Sequence, residues 1–200
     1  MSWDILLNNN SHTFTSEDLP ALIHGERGAG ASLFSVSFLA QLYAQGEPLF
    51  ILSSGEDVKE EVLTYLKNPD DLGEITSESD IATIHDKQVI YLSSTLQDLV
   101  SKTISELEDF SERIVLVNKF DGFEKDTLAL LYGHSKTIYC GDLNVSEAKE
   151  PLLQLKYMAK IFYSPLHNDF RLTLPDLEKY HGYYQGRIDQ GNISLQQING

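Results

Sequence analysis

The sequence predicts an α/β protein: a mainly parallel sheet flanked by helices, extended by antiparallel strands at its C-terminal edge. Short apolar runs recur along the chain, each too short for a buried helix and bounded by Gly, Pro, Ser or Asp. Stretches of helical period separate them. Beyond residue 168 the pattern turns to strict alternation and then to a hairpin signal.

The apolar runs are ALIHG (21–25), PLFILSS (48–54), QVIYLSS (88–94), RIVLVNKF (113–120), KTIYCGD (136–142) and KIFYSPL (160–166). Unbroken apolar character marks strands covered on both faces, as parallel strands are. After the first run, Leu33, Val36, Leu39 or Ala40, and Tyr43 predict an amphipathic helix that Gly46 ends. Val58, Val62, Tyr65 and Leu66 predict a second, closed by Pro69. Leu96, Leu99, Thr103, Leu107 and Phe110 predict a third, with Ser94 or Thr95 as its N-cap. Strands alternating with such helices form right-handed βαβ units. DFRLTLP (169–175) alternates, and YYQGRIDQGNISLQQ (183–197) predicts a hairpin turning near Gln190-Gly191-Asn192. Residues 67–82, polar and acidic, read as a surface excursion. No linker or repeat divides residues 1–200, so a single domain is expected.

The chain has 200 residues, 42% of them apolar, and a formal net charge of −15. That charge repels a phosphate backbone and argues against direct nonspecific nucleic-acid binding. One cysteine, Cys140, rules out internal disulfides and fits a reducing, cytoplasmic setting. The start, MSWDILLNNN, lacks the basic and apolar regions of a signal peptide, and no apolar span approaches membrane length. The six histidines show no paired ligand spacing, and no nucleophile elbow occurs.

The most informative stretch is HGERGAGAS (24–32). It follows an apolar strand and opens a helix, as a phosphate-binding loop does, and Gly25, Glu26, Arg27, Gly28, Ala29, Gly30, Ala31 and Ser32 span the positions of G-x-x-x-x-G-K-[ST]. Backbone N–H groups of such a loop cradle phosphate without a side chain. Ser32 retains the hydroxyl that can meet Mg²⁺, but Ala31 replaces the lysine that reaches the outer phosphates. A structural turn with no ligand needs the same glycines. Both readings stay open.

LPALIHGERGAGAS, FLAQLYAQGEPLFILSSGED, RIVLVNKFDGF, TIYCGD and the closing segment LKYMAKIFYSPLHNDFRLTLPDLEKYHGYYQGRIDQGNISLQ occur in this order. Together they resemble the RecA-like P-loop ATPases, particularly KaiC-like proteins and the DnaB-type helicase core, over residues 15–197. The resemblance implies that the Walker A lysine is Ala31 and that the Walker B aspartate, which holds the Mg²⁺ water shell, is Asn118. Asp121 would serve only on a longer strand. The glutamate that polarises the attacking water falls at Gly55 or Glu56; Glu56 is either that base or the cap of a helix starting at Asp57. The late Lys-x-Arg finger is reduced to Arg187. The family's assemblies imply a homo- or hetero-oligomer with other RecA-like subunits or a protein partner. Loss of the lysine and the aspartate implies a pseudo-ATPase binding ATP with Mg²⁺ weakly or not at all. An ATPase completed by a partner chain is the first alternative. The second is a GTP-binding protein that reads guanine through Asn118-Lys119-Phe120-Asp121, a match to N-K-x-D.

Overall fold

Residues 1–7, 10–25, 31–54, 56–142, 156–162, 181–185 and 190–194 are described by a computed structural model. In chain order they form strands β1 (Ser2–Leu7), β2 (Asn10–Thr15) and β3 (Ala21–Gly25), helix α1 (Ala31–Ala44), strand β4 (Leu49–Ser53) and helix α2 (Glu56–Tyr65). Then come β5 (Leu72–Ile75), α3 (Glu78–Ile81), β6 (Val89–Ser93), α4 (Asp98–Glu106), β7 (Ile114–Asn118), α5 (Lys125–Leu131) and β8 (Thr137–Gly141). Strands β9 (Lys156–Phe162), β10 (His181–Gln185) and β11 (Gln190–Ser194) follow. The main sheet has nine strands in the order β11-β10-β9-β3-β8-β7-β4-β6-β5. Neighbours from β9 to β5 run parallel, while β10 and β11 pair antiparallel at one edge.

The unbroken apolar runs are buried on both faces, as expected: every residue of β3, β4, β7 and β8 is buried. Alternation along each strand splits the core into two layers. Ile23, Ile51, Leu116 and Ile138 face α1 and α2. Leu22, Leu52, Val117 and Tyr139 face the layer that holds Val100, Leu107 and Leu128.

Several expectations need correction. Helix α1 is not amphipathic, since Phe34, Ser35, Val36, Ser37, Phe38 and Leu39 are all buried. The cause is a hairpin of β1 and β2, unforeseen in the sequence, which packs on the side of α1 away from the sheet. Trp3, Ile5 and Phe14 belong to the α1 core; the Phe14 ring meets Phe38 edge-on at 5.0 Å and Trp3 at 5.6 Å. Polar ties fix the docking: Trp3 Nε1–H donates to Glu47 Oε1 (2.8 Å), and the Gln45 carboxamide pairs with both backbone groups of Asp4.

Residues 67–82 are not an excursion alone, because they contain β5, the far edge strand of the sheet. Tyr43 O–H donates to Asp71 Oδ2 (2.6 Å), and Lys59 pairs with Glu74, so α1 and α2 hold this edge. A Cβ at Gly73 would stand 2.5 Å from Ile84 Cγ1 and 2.7 Å from Lys87 Cγ. Gly73→Ala is therefore expected to cost about 1–3 kcal/mol by overpacking, read as a lowered denaturant midpoint at unchanged slope.

Helix α4 is not capped by Ser94 or Thr95. Those residues form a 3-10 turn capped by Ser93, and the N-cap position of α4 is Gln97. The Gln97 side-chain oxygen instead accepts from the N–H of Glu124 (3.2 Å) and the hydroxyl of Thr127 (2.9 Å), tying α4 to α5. The strand predicted from Lys160 begins at Lys156. The C-terminal hairpin does not turn at 190–192, since Gln190, Gly191 and Asn192 pair with Gln185, Tyr184 and Tyr183; residues 186–189 lie outside the described residues. DFRLTLP also lies outside them.

At the opposite end of the sheet from α1's first turn, Arg113 is 1% exposed. Its guanidinium donates to both carboxylate oxygens of Asp109 (3.1 and 2.7 Å). It also donates to the carbonyls of Leu49, Gln88, His85 and Lys87 at 2.9–3.3 Å. One side chain thus gathers the starts of β4, β6 and β7.

Candidate functional site: the carboxyl ends of β3, β4, β7 and β8

In a parallel α/β sheet the carboxyl ends of the strands hold ligands, because loops and helix N-termini converge there. Strand β3 ends at Gly25 and α1 starts at Ala31. Glu26, Arg27, Gly28, Ala29 and Gly30 lie outside the described residues, as does Arg187. Ala31 is 7% exposed, and its methyl group joins the core under α1. Ser32 is half-buried in the first turn. Its carbonyl accepts from Ser35 Oγ (2.8 Å). The N–H groups of that turn have no partner within the helix.

Beneath this turn, three residues stand side by side across the sheet. Ser53 of β4 is in register with Asn118 of β7, and Asn118 with Cys140 of β8. All three are 0% exposed. Cys140 is in turn in register with Ile23 of β3. Burial pushes the Cys140 thiol up to about 12, a shift softened by its hydrogen bond with Ser35. Cys140 is therefore a packing residue, as its place in an apolar run predicts.

Asn118 ends β7 and occupies the position expected for the metal-holding aspartate. Its backbone carbonyl accepts from Ser54 N–H (3.3 Å). Among the described residues, neither Oδ1 nor Nδ2 of its side chain has a hydrogen-bond partner. Buried amides seldom remain so, because the cost of desolvation is then unrecovered.

Lys119 breaks the strand with left-handed backbone (φ 53°, ψ 52°), and its carbonyl accepts from Ser54 Oγ (3.0 Å). A 3-10 turn follows, from Phe120 to Gly122. Asp121 is thus off the strand and cannot take the Walker B position. Its Oδ1 accepts from Asp142 N–H (3.3 Å) and would be 2.8 Å from any Cβ added at Gly141. Glycine at 141 is what allows β8 to end so close to the turn. His24 is buried beside it, with Nδ1 3.3 Å from the Gly141 carbonyl, a distance suited to the tautomer protonated at Nδ1.

Glu56 is the first residue of α2 rather than a cap before a helix starting at Asp57; its side chain and Gly55 lie outside the described residues. The structure therefore gathers Gly25, Ala31, Ser32, Asn118 and Asp121 at one end of the sheet. It adds Ser53 and Ser35, which the sequence reading passed over. Ser53 nearly ends its apolar run as Asn118 nearly ends its own, and that shared place was the only signal.

A magnesium ion in this fold needs an anionic oxygen at position 118, since hard cations take oxygen ligands and carboxylates supply their charge. The residue there is a neutral amide with one oxygen. The magnesium part of the nucleotide complex does not fit. Among the described residues no group of three His, Cys, Asp or Glu could hold a metal elsewhere. Among them, too, no helix is long and apolar enough to cross a membrane.

No protein-family model matches the chain, and no curated protein matches it. Solved structures do. The genome packaging NTPase B204 of Sulfolobus turreted icosahedral virus 2, in complex with AMPPCP, superposes with a TM-score of 0.59 at 12% identity, covering 87% of this chain and 96% of that one. Its complex with ATP-gammaS gives a TM-score of 0.57 at 13% identity, with 87% and 95% covered. The Hef helicase domain of Pyrococcus furiosus gives 0.55 at 10% identity, covering 79% of this chain and 37% of that one. With its strand order and these likenesses, the chain has the α/β fold of the P-loop NTPases.

Proposed function

We propose that this chain is a catalytically degenerate RecA-like P-loop domain, of the KaiC-like and DnaB-type kind, that acts as a non-catalytic assembly or regulatory subunit. In this reading it binds magnesium nucleotide weakly or not at all. The observation that carries the proposal is the buried neutral amide of Asn118 where hydrolysis needs a metal-holding carboxylate, together with the buried methyl of Ala31 where it needs a lysine. Phosphoryl transfer depends almost wholly on positioning and on neutralising charge. Removing one such electrostatic group from a closed site costs about 3–4 kcal/mol of transition-state stabilisation, or 10²–10³ in rate. Two losses leave little catalysis.

Purified chain incubated with ATP or GTP and Mg²⁺ is expected to release no phosphate above the protein-free rate, while light scattering shows self-association or a stable complex with a partner. Turnover abolished by Glu56→Ala would establish the ATPase alternative instead. The guanine reading has less support. The Asp121 carboxylate is engaged by Asp142 N–H at the end of β8, and the Asn118 side chain is wholly buried. That arrangement does not present N-K-x-D to a base. A strict GTP preference lost in Asp121→Ala would reverse this judgement.

A further inference from the structure

Strand β5 ends the described sheet, with β6 as its one neighbour. Every second residue of such a strand turns its N–H and C=O groups outward, where a further strand can take them. Leu72 N–H is engaged by the carbonyl of Pro69. Among the described residues, no group outside the sheet bonds to the main chain of Gly73, Glu74 or Ile75. Edge strands are normally blunted by a lysine or a proline, by a bulge, or by a covering segment. The sequence LGEI supplies neither residue, and the register with β6 runs unbroken from Leu72–Val89 to Ile75–Leu92. Ile84 and Lys87 pack over Gly73, and Lys59 draws Glu74 to α2, so both contacts cover faces of the strand.

Charge is what distinguishes this edge. Residues 68–86 hold Asp70, Asp71, Glu74, Glu78, Asp80 and Asp86, and no lysine or arginine. The lysines near them are engaged: Lys59 with Glu74, Lys102 with Glu78 and Glu106, and Lys87 Nζ with the carbonyl of Asp70. The carboxylates of Asp70 and Asp86 are exposed and have no partner among the described residues. A second copy of the chain would bring the same carboxylates to the same edge, and like charges set opposite each other destabilise a strand pair. The net charge of −15 adds to that repulsion. A segment carrying lysines or arginines meets the complementary field instead.

We propose that the open edge of β5 docks a basic, extended segment of a partner protein, which adds to the sheet as its next strand. Main-chain hydrogen bonds at 73–75 hold the segment, and the surrounding carboxylates select its charge. The inference rests on the assembly half of the proposed function and names the partner's chemistry; it does not need the loss of catalysis.

The test is titration of the full chain with three capped heptapeptides, read by NMR shifts and amide hydrogen exchange. The first is Lys-Val-Lys-Val-Lys-Val-Lys, the second has glutamate for lysine, and the third is the lysine peptide methylated at every internal peptide nitrogen. The lysine peptide is expected to bind and to slow exchange within 73–75, and the glutamate peptide to do neither. Methylation keeps the charge but removes the donors, and is expected to weaken binding about tenfold or more. The double variant Asp70→Lys, Asp86→Lys changes exposed side chains alone, and is expected to fold as the wild type and bind about threefold or more weakly. Equal binding of the methylated peptide, equal binding of both charges, protection confined to other strands, or no binding at about 1 mM peptide would each overturn the inference. Protection of 73–75 that rises with protein concentration alone would replace the basic partner with a second copy. Phosphate release from ATP would overturn the non-catalytic reading and leave this one standing. Self-association without peptide binding would do the reverse.

Discussion

Arg113→Leu is expected to lower the stability of this protein by about 3 kcal/mol or more, within the 3–5 kcal/mol range for breaking a buried charged pair. The arginine is 1% exposed and donates to the carbonyls of residues 49, 85, 87 and 88 as well as to Asp109. Leucine fills part of the volume but donates nothing, so carbonyls at the starts of two strands, β4 and β6, lose a partner in a place water reaches poorly. The Gln88 carbonyl keeps its bond from Leu49 N–H (2.8 Å), which softens the loss there. The Asp109 side chain is 37% exposed and regains water when freed, so Asp109→Asn is expected to cost far less, about 1 kcal/mol. Lysine at 113 is expected to rescue little, because an ammonium cannot match a planar fork that reaches a carboxylate and several carbonyls together. Urea unfolding at unchanged slope is the measurement. A loss below about 1 kcal/mol for Arg113→Leu would mean that the strand starts hold together without their clasp.

Phe14→Ala is the second large effect, about 3–5 kcal/mol. Phe14 is 0% exposed and stands between Trp3 and Phe38, so its removal opens a cavity and ends two aromatic contacts. The response of neighbouring amides separates this role from simple packing loss. If the β1–β2 hairpin is the outer cover of α1, hydrogen exchange in α1 should accelerate more than in β6, which is held in the main sheet between β4 and β5. Uniform acceleration across the sheet would show that the hairpin has no special hold on the helix.

The legible part of the fold was the part that buries both faces. LFIL, VIYL, IVLV and IYC are apolar without interruption, and each became part of a central parallel strand. The edges were less legible because edge strands need only one apolar face. LGEI of β5 sits in an acidic stretch, and SWDILL with NSHTFT gives a mixed signal that matches no single template. The all-round burial of α1 followed from that omission, since a helix is amphipathic only if solvent bathes its back. The seven-residue helix KDTLALL (α5) is too short to stand out by periodicity and went unread.

At the site, the order of the runs was enough to put Asn118 at the end of the second strand from β3. Its unpaired state was not legible, because that depends on the register with Ser53 and Cys140 and on the path of Lys119. Arg113 shows the same limit in reverse. A charged residue beginning an apolar run reads as an exposed strand boundary, and only the stacking of carbonyls from distant segments makes it an interior group.

The indole of Trp3, the chain's one tryptophan, is 2% exposed, packed on Phe14 and bonded to Glu47 between α1 and β4. Its emission should therefore be blue-shifted in the native state and should redden when the hairpin lifts from the helix. An unlabelled optical signal is thus wired to the hairpin and the helix it covers, and their separation can be followed by light from the protein itself.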